Sequence, residues 1–293
     1  MSDPNTPPTF ALDNGFIHLE ALANSGPRVT HLSVPGGQNL LARLPMDVKL
    51  TSQYGDFHFL GGHRLWHSPE AIPRTYIPDN DGLAVEKFPD GARLTGSTEP
   101  GTGITKTIEV RLSPNRAAVT LTHTLRNDGL WPVEFAPWAI SMMRVGGVAI
   151  FPQPLDKADP DGLLNNRILS IWPYTRINDP RLILRDDYIL IKANPVLPPL
   201  KIGYYNPYGW MAYWVDGVLF RKSFDLHPGE LHPDGGCNAE TYSCDMFIEL
   251  ETLGPLTKLA PASSVTLTET WELFNSLNQP FIPEEIQALI AAC

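Results

Sequence analysis

Along most of this chain apolar residues recur at every second position, in short runs broken by glycine, proline, asparagine and aspartate. A period of two marks a half-buried strand, because successive side chains point to opposite faces of a sheet. The pattern predicts strands over 16–22, 28–34, 83–88, 92–98, 102–112, 117–126, 133–142, 188–193, 201–205, 211–215 and 218–223, all rich in β-branched or aromatic residues. Turn signals separate them: Pro-Gly-Gly at 35–37, Pro-Asp-Gly at 89–91, Asn-Asp-Gly at 127–129, Asp-Gly at 216–217 and Pro-Asp-Gly-Gly at 233–236. Asp216-Gly217, between MAYWV and VLFRKSF, predicts a tight hairpin. Two further strands fill 244–274, joined by a Pro-bearing loop. In the first, Asp245, Phe247, Glu249 and Glu251 share one face, and Met246, Ile248 and Leu250 the other. In the second, Val265, Leu267, Glu269 and Trp271 share a side. One helix is predicted, at the C-terminus: Pro283 suits its first position, Glu284 and Glu285 its first turn, and Ile286, Leu289 and Ile290 form an apolar stripe. The expected fold class is all-β, a single large antiparallel sandwich over 1–293 with few short helices.

Composition narrows the function. The 29 prolines, spread evenly, are barred from helix interiors and central strands, so they imply short strands and many turns. A 43% hydrophobic content supplies a sizeable core. The formal net charge of -10, with no basic stripe, argues against a nucleic-acid partner. No apolar run approaches the roughly 20 residues that span a bilayer, so no membrane partner is expected. MSDPNTPPTF has neither a basic nor an apolar leader region. The chain reads as cytoplasmic, or as periplasmic or secreted if a leader has been removed. Cys237 and Cys244 are near enough in sequence to pair across a turn. With Cys293 they fit free thiols of a reduced compartment better, since no CxxC or zinc-finger spacing occurs.

Candidate chemistry gathers in a few clusters. Residues 57–80, FHFLGGHRLWHSPEAIPRTYIPDN, place His63, Arg64, Trp66, His67, Glu70 and Arg74 in what reads as a Gly/Pro-rich surface loop. Trp66 suits the apolar face of a ring, and Arg64 or Arg74 suits a hydroxyl pair or a carboxylate. His63 and His67 have the spacing of a helical zinc pair, but Pro69 and the two glycines exclude a helix, so no metal is expected. WPYTRINDPR, 172–181, adds Arg176 beside aromatic residues, and GYYNPYGWMAYW, 203–214, adds tyrosines and tryptophans suited to sugar rings or to a core. LHPDGGCNAETY, 231–242, brings Asp234 and Glu240 to the sheet end that carries Glu249 and Glu251. There is no GxSxG elbow, P-loop or GxGxxG, so serine hydrolase, NTPase and nicotinamide chemistry lack a signal, and no cofactor is expected.

Taken in order, these motifs resemble the galactose mutarotase-like (aldose 1-epimerase) superfamily. Leu250-Glu251-Thr252, Gly254-Pro255, Leu259-Ala260-Pro261-Ala262 and the strand to Phe274 resemble its C-terminal part. LGGHRLWHSPE resembles its N-terminal Gly-Gly…Trp region, and 122–140 its mid-chain strand pair. The resemblance implies a β-supersandwich with a sugar or oligosaccharide site on a concave sheet face. It implies that Glu251 takes the proton of the anomeric hydroxyl. The superfamily's partner histidine belongs to the strand at 134–142, where this chain reads EFAPWAISM. His63 or His67 is therefore the candidate acid, and Arg64, Trp66, Glu70, Arg74, Arg176, Asp234 and Glu249 are candidate substrate contacts. The reading is a mutarotase-like epimerase. A carbohydrate-binding protein without turnover, and a polysaccharide lyase or hydrolase on the same fold, are the alternatives.

Overall fold

The computed structural model describes residues 7–275. The first strands are β1 (Thr9–Asp13), β2 (His18–Leu22), β3 (Arg28–Ser33), β4 (Lys49–Ser52), β5 (Gly55–His58) and β6 (Gly62–Ser68). Then come β7 (Ala84–Phe88), β8 (Gly91–Thr95), β9 (Ile104–Leu112), β10 (Ala118–Asn127), β11 (Val133–Arg144) and β12 (Val148–Pro152). They continue with β13 (Leu169–Ile171), β14 (Leu182–Leu184), β15 (Tyr188–Lys192), β16 (Leu200–Tyr204), β17 (Trp210–Val215) and β18 (Val218–Phe224). The last are β19 (Ala239–Ser243), β20 (Phe247–Leu253), β21 (Thr257–Leu259) and β22 (Ser264–Phe274).

Two large antiparallel sheets pack face to face. The first runs β1-β2-β3-β6-β11-β20-β19-β16-β13, with β21 added on β11, and the second runs β14-β15-β12-β17-β18-β22-β10-β9-β8-β7. Every pairing is antiparallel, as the alternating pattern requires for sheets covered on one face by a shared core. Leu65, Met143, Ile248 and Leu250 of the first sheet meet Ile108, Leu121, Phe220 and Trp271 of the second in one apolar layer. Each such buried side chain contributes about 1.5–3 kcal/mol. Among the described residues no helix is long and apolar enough to cross a membrane. Cys237 and Cys244 are buried free thiols.

The predicted hairpin forms as expected. Trp210–Val215 pairs with Val218–Phe224 across Asp216 and Gly217, both at positive φ (48° and 80°), as a two-residue turn of this twist demands. The predicted C-terminal helix at 283–290 lies outside the described residues. The reading of 57–80 as a surface loop is corrected. Gly62–Ser68 is a central strand, wholly buried, between β3 and β11. Gly61 and Gly62 allow its entry, since a Cβ on Gly62 would lie 2.2 Å from the Val29 carbonyl oxygen. The strand escapes pattern recognition because both of its faces are covered and both carry polar residues.

Candidate active site

The site grows from the period of two on the central strands of the first sheet. On β20, Glu249 and Glu251 point away from the sandwich core while Ile248 and Leu250 point into it, as the sequence predicts. Across the ladders Glu251 pairs with Ile140 and with Glu240, and Ile140 in turn with Arg64. Tyr242 on β19 pairs with Lys201 on β16. The outer face of the sheet therefore collects Arg64, Trp66, Trp138, Glu240, Tyr242, Lys201, Glu249 and Glu251. The segment containing β4, β5 and the 3-10 turn Arg74–Tyr76 folds against this face and packs Phe57 and Tyr76 on Trp66. A cleft of about 500 Å³ is left between them, with Arg64, Trp66, Trp138, Tyr174, Lys201, Tyr242 and Glu249 in its walls.

The two carboxylates of β20 occupy different depths. Glu251 is 0% exposed and does not line the cleft. Its Oε2 accepts from Trp138 Nε1 at 2.8 Å and from Lys201 Nζ at 2.9 Å. Glu249 is 7% exposed and lines the cleft wall. Its Oε1 accepts from Arg64 Nη2 at 2.8 Å, and its Oε2 has no hydrogen-bond partner among the described residues. Burial pushes the Glu249 carboxyl up against the pull of Arg64, and neighbouring Glu251 adds to the rise, to about 7. Glu249 is thus poised to give or take a proton near neutrality.

Lys201 ties the floor together. Its Nζ lies 2.8 Å from Glu240 Oε2 and 2.9 Å from Glu251 Oε2. It also sits 4.7 Å and 4.8 Å from the Trp138 and Trp172 rings. Burial lowers the ammonium's pKa, but Glu251 and Glu240 outweigh it and hold the group well above its ordinary value. Burial raises Glu240 well above the usual carboxylate range; Lys201 opposes this and Glu251 reinforces it. Arg64 stacks over Trp66 with its guanidinium carbon 4.1 Å from the ring centroid. Two buried cations are fixed between buried acids and indole faces, so their geometry is rigid.

The histidines fall elsewhere. In a strand, residues four apart share a face, so His63 and His67 both point into the sandwich, opposite Arg64 and Trp66. His63 is 0% exposed. Its Nε2 is 2.7 Å from His123 Nε2, and its Nδ1 is 2.9 Å from Ser141 Oγ. His123 Nδ1 faces the Leu267 carbonyl at 3.0 Å and so carries its proton. His123 Nε2 then accepts from His63, and His63 Nδ1 accepts from Ser141. Burial, with His123 and Lys222 beside it, keeps the His63 ring neutral. The Lys222 ammonium lies 2.8 Å from Glu269 Oε1 and donates to the Leu250 carbonyl at 3.0 Å, closing the network behind the cleft. His67 accepts from Arg74 Nη1 at Nδ1 and bonds Glu99 at 2.9 Å through Nε2, and Lys106 bonds the same carboxylate.

Of the remaining candidates, Glu70 lines the cleft and accepts from Tyr76 Oη. Arg74 faces a second cavity that His67 also lines. Arg176 is exposed beyond β13 and Asp234 sits in a positive-φ turn, its Oδ2 accepting from Ser68 Oγ at 3.4 Å; neither lines the cleft. Sequence reasoning overlooked Lys201 as a site residue. The available signal was a lone charge within the apolar run LKIGYY, which cannot be buried without a partner.

No protein-family model matches the chain, and no curated protein matches it. Solved structures do. A galactose mutarotase-like protein from Lactobacillus casei superposes with a TM-score of 0.60 at 11% identity, covering 91% of this chain and 100% of the other. The Slr1438 protein from Synechocystis gives 0.59 at 14% identity, covering 94% and 99%. A galactose mutarotase-like protein from Clostridium acetobutylicum gives 0.52 at 11%, covering 91% and 95%. The fold is the galactose mutarotase-like β-supersandwich.

Proposed function

We propose that the cleft binds a monosaccharide ring and that the protein interconverts its anomers as an aldose 1-epimerase, with Glu249 moving the protons. The observation that carries this reading is a buried carboxyl of pKa about 7 on a wall shared with Trp66 and Trp138. Indole faces suit the C–H face of a pyranose. A neutral carboxyl presents an acceptor and a donor side by side. Oε1, already accepting from Arg64, takes the proton of the anomeric hydroxyl, while Oε2–H gives its proton to the ring oxygen. The bond from C1 to the ring oxygen breaks and the C1 carbonyl forms. Rotation about C1–C2 turns the other carbonyl face to the 5-hydroxyl, and the same exchange in reverse closes the ring. The carboxyl ends as it began, so no imidazole is required. Glu251 positions Lys201 and Trp138 in this scheme and does not touch the sugar.

The test is anomer exchange on a panel of aldoses, followed by polarimetry. Wild type should exceed the buffer rate, and Glu249→Gln should lose about 100-fold or more of that acceleration. An unaltered rate in the variant would end the assignment. A second reading, sugar binding without turnover, is favoured by one fact: among the described residues no histidine lines the cleft. It predicts calorimetric binding with anomer exchange at the buffer rate. A glycosidase pair made of Glu249 and Glu251 is disfavoured, because only Glu249 borders the cleft.

A further inference from the structure

A second cluster of reactive side chains lies inside the sandwich, behind the cleft and outside the proposed exchange. It joins the two sheets. His63 stands on β6 of the first, His123 on β10 and Glu269 on β22 of the second. All three are 0% exposed. Each offers a ligand atom, and these atoms all lie within 4.8 Å of one another. The two imidazoles turn the same nitrogen inward, Nε2 to Nε2 at 2.7 Å. Their outer nitrogens are anchored, His123 Nδ1 on the Leu267 carbonyl at 3.0 Å and His63 Nδ1 on Ser141 Oγ at 2.9 Å. The His63 ring also stands edge-on to Trp271, 4.7 Å between centroids. Glu269 is oriented as well: Trp271 Nε1 donates to its Oε2 at 2.9 Å, and Lys222 Nζ lies 2.8 Å from its Oε1. A carboxylate has about four acceptor sites, so lone pairs remain on both oxygens. Imidazoles and carboxylates held from behind by a carbonyl, a hydroxyl or an indole N–H are the arrangement of metal ligands, whose outer partners fix tautomer and orientation.

We infer that His63, His123 and Glu269 bind one divalent transition-metal ion, zinc by the chemistry of the donor set, and that the ion ties the two sheets together. Two imidazoles and one carboxylate suit zinc, whereas magnesium and calcium take oxygen ligands. Binding needs both Nε2 lone pairs. His123 already carries its proton on Nδ1. The neutral His63 ring moves its own from Nε2 to Nδ1 and donates it to Ser141 Oγ, so no proton is gained or lost. Two nitrogens about 2.0–2.1 Å from one tetrahedral ion stand about 3.3 Å apart, so the rings part by about 0.6 Å. Glu269 binds through a remaining lone pair and keeps Trp271. Lys222 shares that carboxylate and also donates to the Ala139 and Leu250 carbonyls, at 3.3 Å and 3.0 Å, which hold it as the ion takes its share. Because every ligand is buried, the ion enters as the chain folds. The site is separate from the cleft and independent of the sugar reading. His67 takes no part in it; the partner of His63 comes from 60 residues away.

The full chain, unfolded in urea with EDTA and refolded with zinc or with EDTA, tests it. After gel filtration the zinc-refolded protein should retain one ion per chain by elemental analysis and should melt at a higher temperature than the EDTA-refolded protein. Refolding with Co(II) in place of zinc should give the strong visible absorption of a tetrahedral site. His63→Leu should retain no zinc. Ser141→Ala keeps all three ligands and removes only the hydroxyl behind His63; in competition with a chelator it should bind zinc about tenfold or more weakly. No zinc retained by wild type, or zinc binding unchanged in either variant, overturns the inference.

Discussion

Replacing Glu249 with glutamine removes one titrating group, and its effect on stability follows from the structure. The folded protein holds the Glu249 proton to about pH 7, against an ordinary value of 4.5. A carboxyl raised on folding contributes stability that is present below its unfolded pKa and lost as pH rises through its folded pKa. The rise from 4.5 to about 7 corresponds to about 3 kcal/mol. Glu249→Gln has no such term. It also alters the pairing with Arg64, a cost that moves the baseline and not the slope. Urea melts of both proteins across pH 4 to 8 yield the stability difference at each pH. The stability of wild type relative to the variant should fall by about 3 kcal/mol as pH rises from 4.5 to above 7, with the steep part in between. Parallel stability curves would refute the claim that the cleft wall raises this carboxyl.

Four further outcomes follow from the same contacts. Lys201→Met strands Glu240 and Glu251 without their cation, and thermal unfolding should report a loss of about 3–5 kcal/mol. Arg93→Ala, which breaks exposed pairs with Glu86 and Glu109, should leave the unfolding midpoint close to that of wild type in the same assay. His63→Leu removes a partner from His123 and Ser141 inside the sandwich. It should cost about 1–3 kcal/mol in urea melts while calorimetric sugar affinity stays within about twofold, because the ring lies behind the sheet. Burial pushes Glu99 up, but Lys106 and His67 more than reverse this and bring it down to about 2, so its contribution is present above pH 4.5 and lost as pH falls through 2. Glu99→Gln should be less stable than wild type at neutral pH by about 3 kcal/mol, a gap that closes in acid melts.

How much of this was legible in the sequence depends on how far each feature reaches along the chain. Strands such as Ile104–Leu112, with strict alternation of buried and half-buried residues, declare themselves, and so does the Asp216-Gly217 turn. The face shared by Glu249 and Glu251 follows from period two alone. Which of the two borders the cleft does not. That is decided by Trp138 and Lys201, 113 and 50 residues away, which cap Glu251. The segment around His63 misled for a related reason. Its polar residues look like a surface loop until partners from distant strands, Glu249 on one side and His123 on the other, account for them. The resemblance of Leu250-Glu251-Thr252 identified the strand on which the carboxyl sits, and the burial of its neighbours moved the proposed proton transfer two residues earlier.

One carboxyl, Glu249, works in its neutral form in the proposed exchange. Saturation-transfer NMR between the two anomers of an aldose that the protein binds, recorded against pH, reads it most directly. Catalysed exchange should fall as pH rises through about 7 and should be lost in Glu249→Gln. Catalysed exchange that is independent of pH there, or equal in the variant, would contradict it.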